Sequence, residues 1–247
     1  MLLREDERGW IAIGQPSHAW ISGQLAHAWG NERFGAVEPH GEVTLAAEQH
    51  DLGMAVWDLN PSFNPETGLP HSFMEMPLEV RVELWGAAPR RLLTQCRYAA
   101  VLVSMHGTRL YERRDLEALT QPQADLVRAY LAEQKQFQGA IHATLEPPER
   151  ELVERNSRLI WTWDYLSLAL CLGWAPSSVT DVPTRDGTGI EIAVSESTLK
   201  PWPFAEGTVR VHCDARRLEA HYDSEEAMRR ALDEAPWETI EFELTDQ

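Results

Sequence analysis

The chain is short of cysteine, short of positive charge and without any long apolar run, and each shortage argues against a class of protein. Its three cysteines, Cys96, Cys171 and Cys213, are odd in number, far apart and without a Cys-x-x-Cys spacing. That argues against a disulfide framework and against a thiolate zinc site, and it fits a reducing cytoplasm. No stretch reaches the ~20 consecutive apolar residues of a membrane span. The opening Met1-Leu2-Leu3-Arg4-Glu5-Asp6-Glu7-Arg8 is too charged for a signal peptide. Lys and Arg number 22 against 39 Asp and Glu, a formal charge of −17. Neither nucleic acid nor an anionic membrane surface is therefore an expected partner, because both are held by clustered basic side chains that release counterions.

What is present is enough for an ordinary globular protein. With 247 residues and 43% apolar content, the chain can hold one sizeable core without disulfides or a partner. There is no internal repeat and no low-complexity tract. Trp10-Ile11-Ala12-Ile13 reads as a short strand stopped by Gly14. Pro16 and Ser17 then open a helix to about Trp29. A second helix is expected over about Glu42 to Trp57, carrying His50 and Asp51 in its last two turns. Residues 58–71 are so rich in Pro, Asn and Gly that they read as an ordered loop, a candidate rim or lid because it leaves directly from the His-Asp helix. Further helices are expected over Leu78–Trp85, Leu92–His106, Gln123–Ala143 and Pro148–Leu172. Beyond Pro176, period-two alternation at 190–194, 208–213, 218–222 and 239–244, with one short helix near 225–235, predicts a small antiparallel sheet. The expected fold class is mainly α: a helical bundle over 1–175, with a small β-rich subdomain over 176–247 packed on it.

Polar residues on apolar helices carry the chemical signal. His50 and Asp51 are adjacent after an apolar helical run, a lone His18 lies on the preceding helix, His106 follows Ala99–Met105, and Asp164 stands within Leu159-Ile160-Trp161-Thr162-Trp163-Asp164-Tyr165-Leu166. A buried carboxylate among aromatics, with no Lys or Arg on its own side of the helix, carries a heavy desolvation cost that a divalent metal would remove. Neutral imidazole and carboxylate are suitable ligands for such an ion. Taken singly, His18, His71 and His106 could each be a histidine satisfied by a backbone carbonyl; taken together, their order and helical context favour a metal site. Trp20, Trp29, Trp57, Trp161 and Trp163 flank these positions and read as core first and pocket wall second. Arg90-Arg91 and Arg113-Arg114 read as solvated helix ends, one of which could serve an anionic substrate.

His18, His50-Asp51 and Asp164, in that order on helical sequence, resemble the H…HD…D signature of the HD-domain superfamily of metal-dependent phosphohydrolases, over roughly residues 10–173. The whole chain, with Gly23-Gln24-Leu25-Ala26, Asp51-Leu52-Gly53-Met54, Asn64-Pro65-Glu66-Thr67-Gly68 and Lys200-Pro201-Trp202-Pro203-Phe204, also resembles an uncharacterised bacterial domain-of-unknown-function family, which implies no activity. The HD resemblance implies a divalent metal (Mn, Ni, Co, Zn, Mg or Fe) held by His18, His50, Asp51 and Asp164, with His106 for a second metal or the substrate phosphate. Met54 stands where nucleotidase-like relatives often carry an acidic residue and cyclic-dinucleotide phosphodiesterases a Lys. Asp58, two turns beyond Asp51, is then the first candidate for a general acid or base beside Asp51. The expected function is hydrolysis of a small anionic phosphate ester or nucleotide; an HD-type di-iron oxygenase using His106 and His71, or a non-catalytic metal-stabilised binding module, are the alternatives. A homo-oligomer is compatible with all three.

Overall fold

The computed structural model describes residues 1–246. Its elements in chain order are β1 (Leu2–Asp6), β2 (Gly9–Ile13), α1 (Gln15–Ala28), α2 (His40–Gln49), a 3-10 turn (Leu52–Met54) and α3 (Ala55–Asp58). There follow β3 (Phe63–Asn64), β4 (Leu69–Pro70), α4 (Leu78–Leu92), α5 (Arg97–Glu112), α6 (Gln121–His142) and α7 (Pro147–Leu172). The C-terminal part holds β5 (Ser177–Pro183), β6 (Gly189–Val194), β7 (Leu199–Lys200), β8 (Thr208–Leu218), α8 (Glu225–Glu234) and β9 (Trp237–Thr245).

This corrects the expectation of a mainly helical bundle. The chain is 49% helix and 21% strand, with sheets of four, two and three strands, and is a mixed α+β fold. The largest sheet has the order β1-β2-β8-β9. It joins both ends of the chain through antiparallel pairing of Trp10 with Leu218 and of Ile13 with Ala215. Local periodicity missed this because β1 is Leu-Leu-Arg-Glu-Asp, whose charged end looks like an exposed leader, and because pairing across 200 residues leaves no local pattern. The separate strand expected at 218–222 does not form. Strand β8 continues to Leu218, burying Val209, Val211, Cys213 and Ala215 on one face, and residues 219–222 lie outside it.

The long helices start and stop where their end residues dictate. Glu146 and Glu149 form a reciprocal capping box at the start of α7, with Pro at the first turn, and Gly173 at φ 66° ends it in the left-handed region. Thr120 and Gln123 do the same for α6. Helix α4 runs on through Pro89 to Leu92, and α5 starts only at Arg97, where the Cys96 sulfur accepts from the Ala99 N–H. One large apolar core runs from Leu2 and Ile13 through Trp29, Tyr98 and Trp163 to Leu244. At its centre Trp29 packs edge-on against Phe34, Trp163 and Phe204 with ring centroids 5.3–5.7 Å apart.

The second expected helix is broken. Helix α2 ends at Gln49; His50 caps it, and Asp51 leaves helical geometry at φ −107° and ψ 18°. The cause is close packing of α4 on the turn: a Cβ on Gly53 would collide with the Leu84 carbonyl oxygen, so only glycine lets the two backbones meet. Among the described residues no helix is long and apolar enough to cross a membrane. Gly53→Ala is expected to cost about 1–3 kcal/mol, the usual penalty of overpacking; urea unfolding reads it directly, and an unchanged midpoint would mean the α4 contact is not tight.

Candidate metal centre

The break after α2 turns His50 and Asp51 toward a point where three other helices converge. His18 comes from α1, His106 from α5 and Asp164 from α7. All five are buried, none more than 8% exposed. His18, His50 and Asp51 form one group of potential ligand atoms within 4.8 Å of one another, and His50, His106 and Asp164 form a second that shares His50. The sequence-expected set is thus brought together in full.

The hydrogen bonds fix which nitrogens face the centre. His50 Nδ1 lies 2.8 Å from the Ala47 carbonyl oxygen, which can only accept, so Nδ1 carries the proton. Its Nε2 is buried without a hydrogen-bond partner, 3.3 Å from Asp164 Oδ1 and 3.9 Å from Asp51 Oδ2. Ser167 Oγ donates to the Asp164 carbonyl at 2.8 Å, which leaves it to accept from His18 Nδ1 at 2.9 Å. Ser22 Oγ lies 3.0 Å from Ser167 Oγ and completes the network. His18 Nε2 then faces Asp51 Oδ2 at 2.9 Å. Two neutral imidazoles would therefore aim lone pairs at two carboxylates, an arrangement that needs protons or a metal cation between them. This donor set fits a divalent metal.

His106 is placed differently. Its Nε2 is 4.0 Å from Asp164 Oδ2, and its Nδ1 is buried without a partner. It lacks the outer hydrogen bond that orients His18 and His50, so His18, His50, Asp51 and Asp164 form the preorganised donor set for an ion and His106 would be an accessory donor. Its ring stands 4.8 Å from that of His50 and 6.1 Å from Trp161.

Two of the residues weighed in sequence lie elsewhere. Asp58 accepts from the Gln15 N–H at the start of α1 and pairs with the Met1 ammonium; it belongs to neither ligand group and, from the end of α3, satisfies one of the free backbone N–H groups of α1. His71 is 3.0 Å from Ser62 Oγ inside its loop. That loop forms the β3–β4 hairpin, which packs on Tyr222 and His221 through Gly68 and Thr67, so the lid expected over 58–71 lies away from the site. The wall comes instead from Phe73, Met74 and Met76, just beyond it.

A cavity of about 260 Å³ opens onto His18, Asp51, His106 and Asp164. Trp85 on its wall donates from Nε1 to Asp51 Oδ1 at 3.3 Å. Sequence reasoning missed Trp85, Ser167 and Arg81, while Arg114, read first as a solvated helix end, lines the cavity. Ser167 carried a signal, since it follows Asp164 by three residues on the same helix face; Trp85 reaches Asp51 only through the tertiary packing of α4 on Gly53. Of the five flanking tryptophans, Trp29 and Trp163 are core while Trp20 is 46% exposed.

The chain belongs to the family described as protein of unknown function DUF3891, whose model matches residues 1–220. Neither a curated protein nor a solved structure gives a match.

Two predictions follow from the protonation pattern. Burial opposes charge on His50, but Asp51 and Asp164 outweigh it and raise its pKa to about 9. From the ordinary 6.5, that stabilisation is complete below about pH 6.5 and is lost as pH rises through 9. Burial lowers His106 to about 4, so its share is complete above pH 6.5 and is lost as pH falls toward 4. Burial also opposes the Asp51 and Asp164 carboxylates, yet the surrounding imidazoles hold both below the usual range, which adds to the acid-side loss. Metal-free protein should therefore be most stable near pH 6.5 by urea unfolding, and added metal should flatten the alkaline arm; a metal-free maximum above pH 8 would contradict the assignment. Ser167→Ala should weaken metal binding by about 10–100-fold, the usual effect of removing an orienting partner, as titration with a competing chelator would register.

Proposed function

We propose that this chain is a metal-dependent phosphohydrolase of HD type, acting on a small phosphate ester or nucleotide. The observation that carries the reading is His50: buried, its Nδ1–H donated to the Ala47 carbonyl, and its unpartnered Nε2 aimed between two carboxylates. The order His18, His50-Asp51, Asp164 supports the same reading through its resemblance to the HD signature.

His18, His50, Asp51 and Asp164 would hold the ion. A divalent metal there supplies acidity to bound water and offsets charge on phosphoryl oxygens. The residues of the chain do the rest. Ser167 and the Ala47 carbonyl lock the ring orientations of His18 and His50, and Trp85 fixes the Asp51 carboxylate from the cavity side. His106, kept neutral by burial, lines the cavity beside Asp164 and offers its imidazole to the reacting group. Asp58, occupied at the start of α1, has no part in this scheme, which leaves proton transfer to His106 and solvent in the cavity.

A second reading draws on the overlapping group His50, His106 and Asp164. Two irons sharing these donors would favour an HD-type oxygenase, though His71 adds nothing to that set. The decisive experiment combines elemental analysis of untagged protein, purified without added metal, with hydrolysis of an aryl phosphate in Mn²⁺ or Co²⁺. The expected outcome is bound divalent metal and phosphate release, both lost in Asp51→Ala and His18→Ala and both retained in Asp58→Asn. Two irons per chain without phosphate release would move the oxygenase ahead. Metal that raises the melting temperature, with no turnover of either kind, would favour a metal-stabilised binding module.

A further inference from the structure

The part of the cavity away from the metal centre holds a feature that the hydrolase reading does not use. Arg81 on α4 and Arg114, just past α5, both line the cavity. Neither forms an ion pair among the described residues, in a chain whose acids outnumber its bases by 39 to 22. The Arg81 Nη2 donates to the carbonyls of Phe73, Met74 and Met76 at 2.9–3.1 Å. Its guanidinium is thereby fixed, while its Nε is buried without a partner. The Tyr111 hydroxyl, also buried and unpartnered, lines the same cavity and lies within electrostatic reach of both guanidiniums. Arg114 is the other charged group that bears on Arg81, on which no carboxylate acts. Two arginines that line one cavity without an ion-pair partner form a site that an anion would complete.

The position of this pair relative to the metal centre sets the ligand. His106 and Arg114 are eight residues apart along and just beyond α5, about 12 Å of axial rise. Arg81 stands one turn before Trp85, which touches Asp51 and packs edge-on against Tyr111 at 5.7 Å. The intervening wall is apolar, made of Met54, Met76, Leu110 and Leu168. Building on the phosphohydrolase reading, we propose that Arg81 and Arg114 receive a second anionic group, so that the substrate is a phosphate ester whose alcohol part carries a carboxylate or another phosphate on a short apolar spacer.

Isothermal titration of the full-length protein with Mn²⁺ tests this with non-hydrolysable probes: alkylphosphonates of three to eight carbons, each paired with the ω-phosphonocarboxylate of the same length. At least one dianion should bind about tenfold or more tightly than its partner, the contribution of one charge-assisted contact. Arg114 is exposed, so Arg114→Gln should fold normally, abolish that advantage and leave alkylphosphonate binding unchanged; Arg114→Glu should reverse it. The absence of any advantage across the series, or an advantage that survives Arg114→Glu, would overturn the proposal. The two readings separate on chelation. A carboxylate advantage that persists in chelator-treated protein, while phosphonate binding shows no dependence on metal, upholds the arginine pair and removes the metal-dependent chemistry.

Discussion

Two carboxylates, Asp51 and Asp164, are buried together with histidines and a tryptophan N–H as their polar company and with no Lys or Arg beside them. Much of the surrounding architecture bears on this charge problem. An isolated buried carboxylate would shed its charge by taking up a proton. Here the neighbouring imidazoles act in the opposite direction and hold both groups ionised. The same carboxylates draw a proton onto His50 when no metal is present. The centre is therefore built to keep a positive charge at one point, and a divalent ion can replace the proton because His50 and His18 are already turned with Nε2 inward. His106, with its unpartnered Nδ1, has no such preparation.

Helix packing alone would not hold five donors to this precision. Helices α1 and α7 supply His18 and Asp164, and each is backed by a sheet. Strand β8 packs on α1, and β5 packs on α7. Gln24 of α1 clasps the backbone of His212 in β8 through both ends of its amide, at 2.7 and 3.0 Å. Arg158 of α7 bonds the Asp181 carbonyl and side chain in β5. The strands thus do more than follow the helical part in sequence: they fix the helices that carry the candidate ligands, and the hairpin β1–β2 ties the start of the chain into the same sheet. A site that needs ligand placement to within about half an ångström benefits from such rigid backing.

The residues of the buried cluster were legible in the sequence because each violates a local expectation: a histidine or aspartate on an otherwise apolar helix face has no cheap local explanation. The fold brings His18, His50, Asp51, His106 and Asp164 together as one buried cluster that could hold a metal ion. The break between Gln49 and Leu52 was not legible, since Glu42 to Trp57 has good helical periodicity throughout. Only the tertiary demand at Gly53, where α4 meets the turn, ends the helix. Asp58 misled for a related reason. On a continuous helix it would share a face with Asp51, but past the break it swings to the start of α1. The four-stranded sheet escaped notice because β1 and β8 lie some 200 residues apart, and a charged Leu-Leu-Arg-Glu-Asp strand shows no alternation strong enough to announce itself.

The arginines near Tyr111 bear on how so acidic a protein can take an anionic ligand. A net charge of −17 repels anions at long range, but at physiological ionic strength charges more than about 8 Å apart are largely screened. Along the cavity wall the local set decides: Arg81, pinned by three carbonyls, and Arg114, which forms no ion pair among the described residues. Such a combination favours compact anions that fit entirely within the cavity. Long polyanions that must extend over the acidic exterior are disfavoured, since each further charge outside meets the repulsive surface. On the proposed reading, cavity size and surface charge act in the same sense, and selectivity for a small anionic molecule would come from the contrast between them.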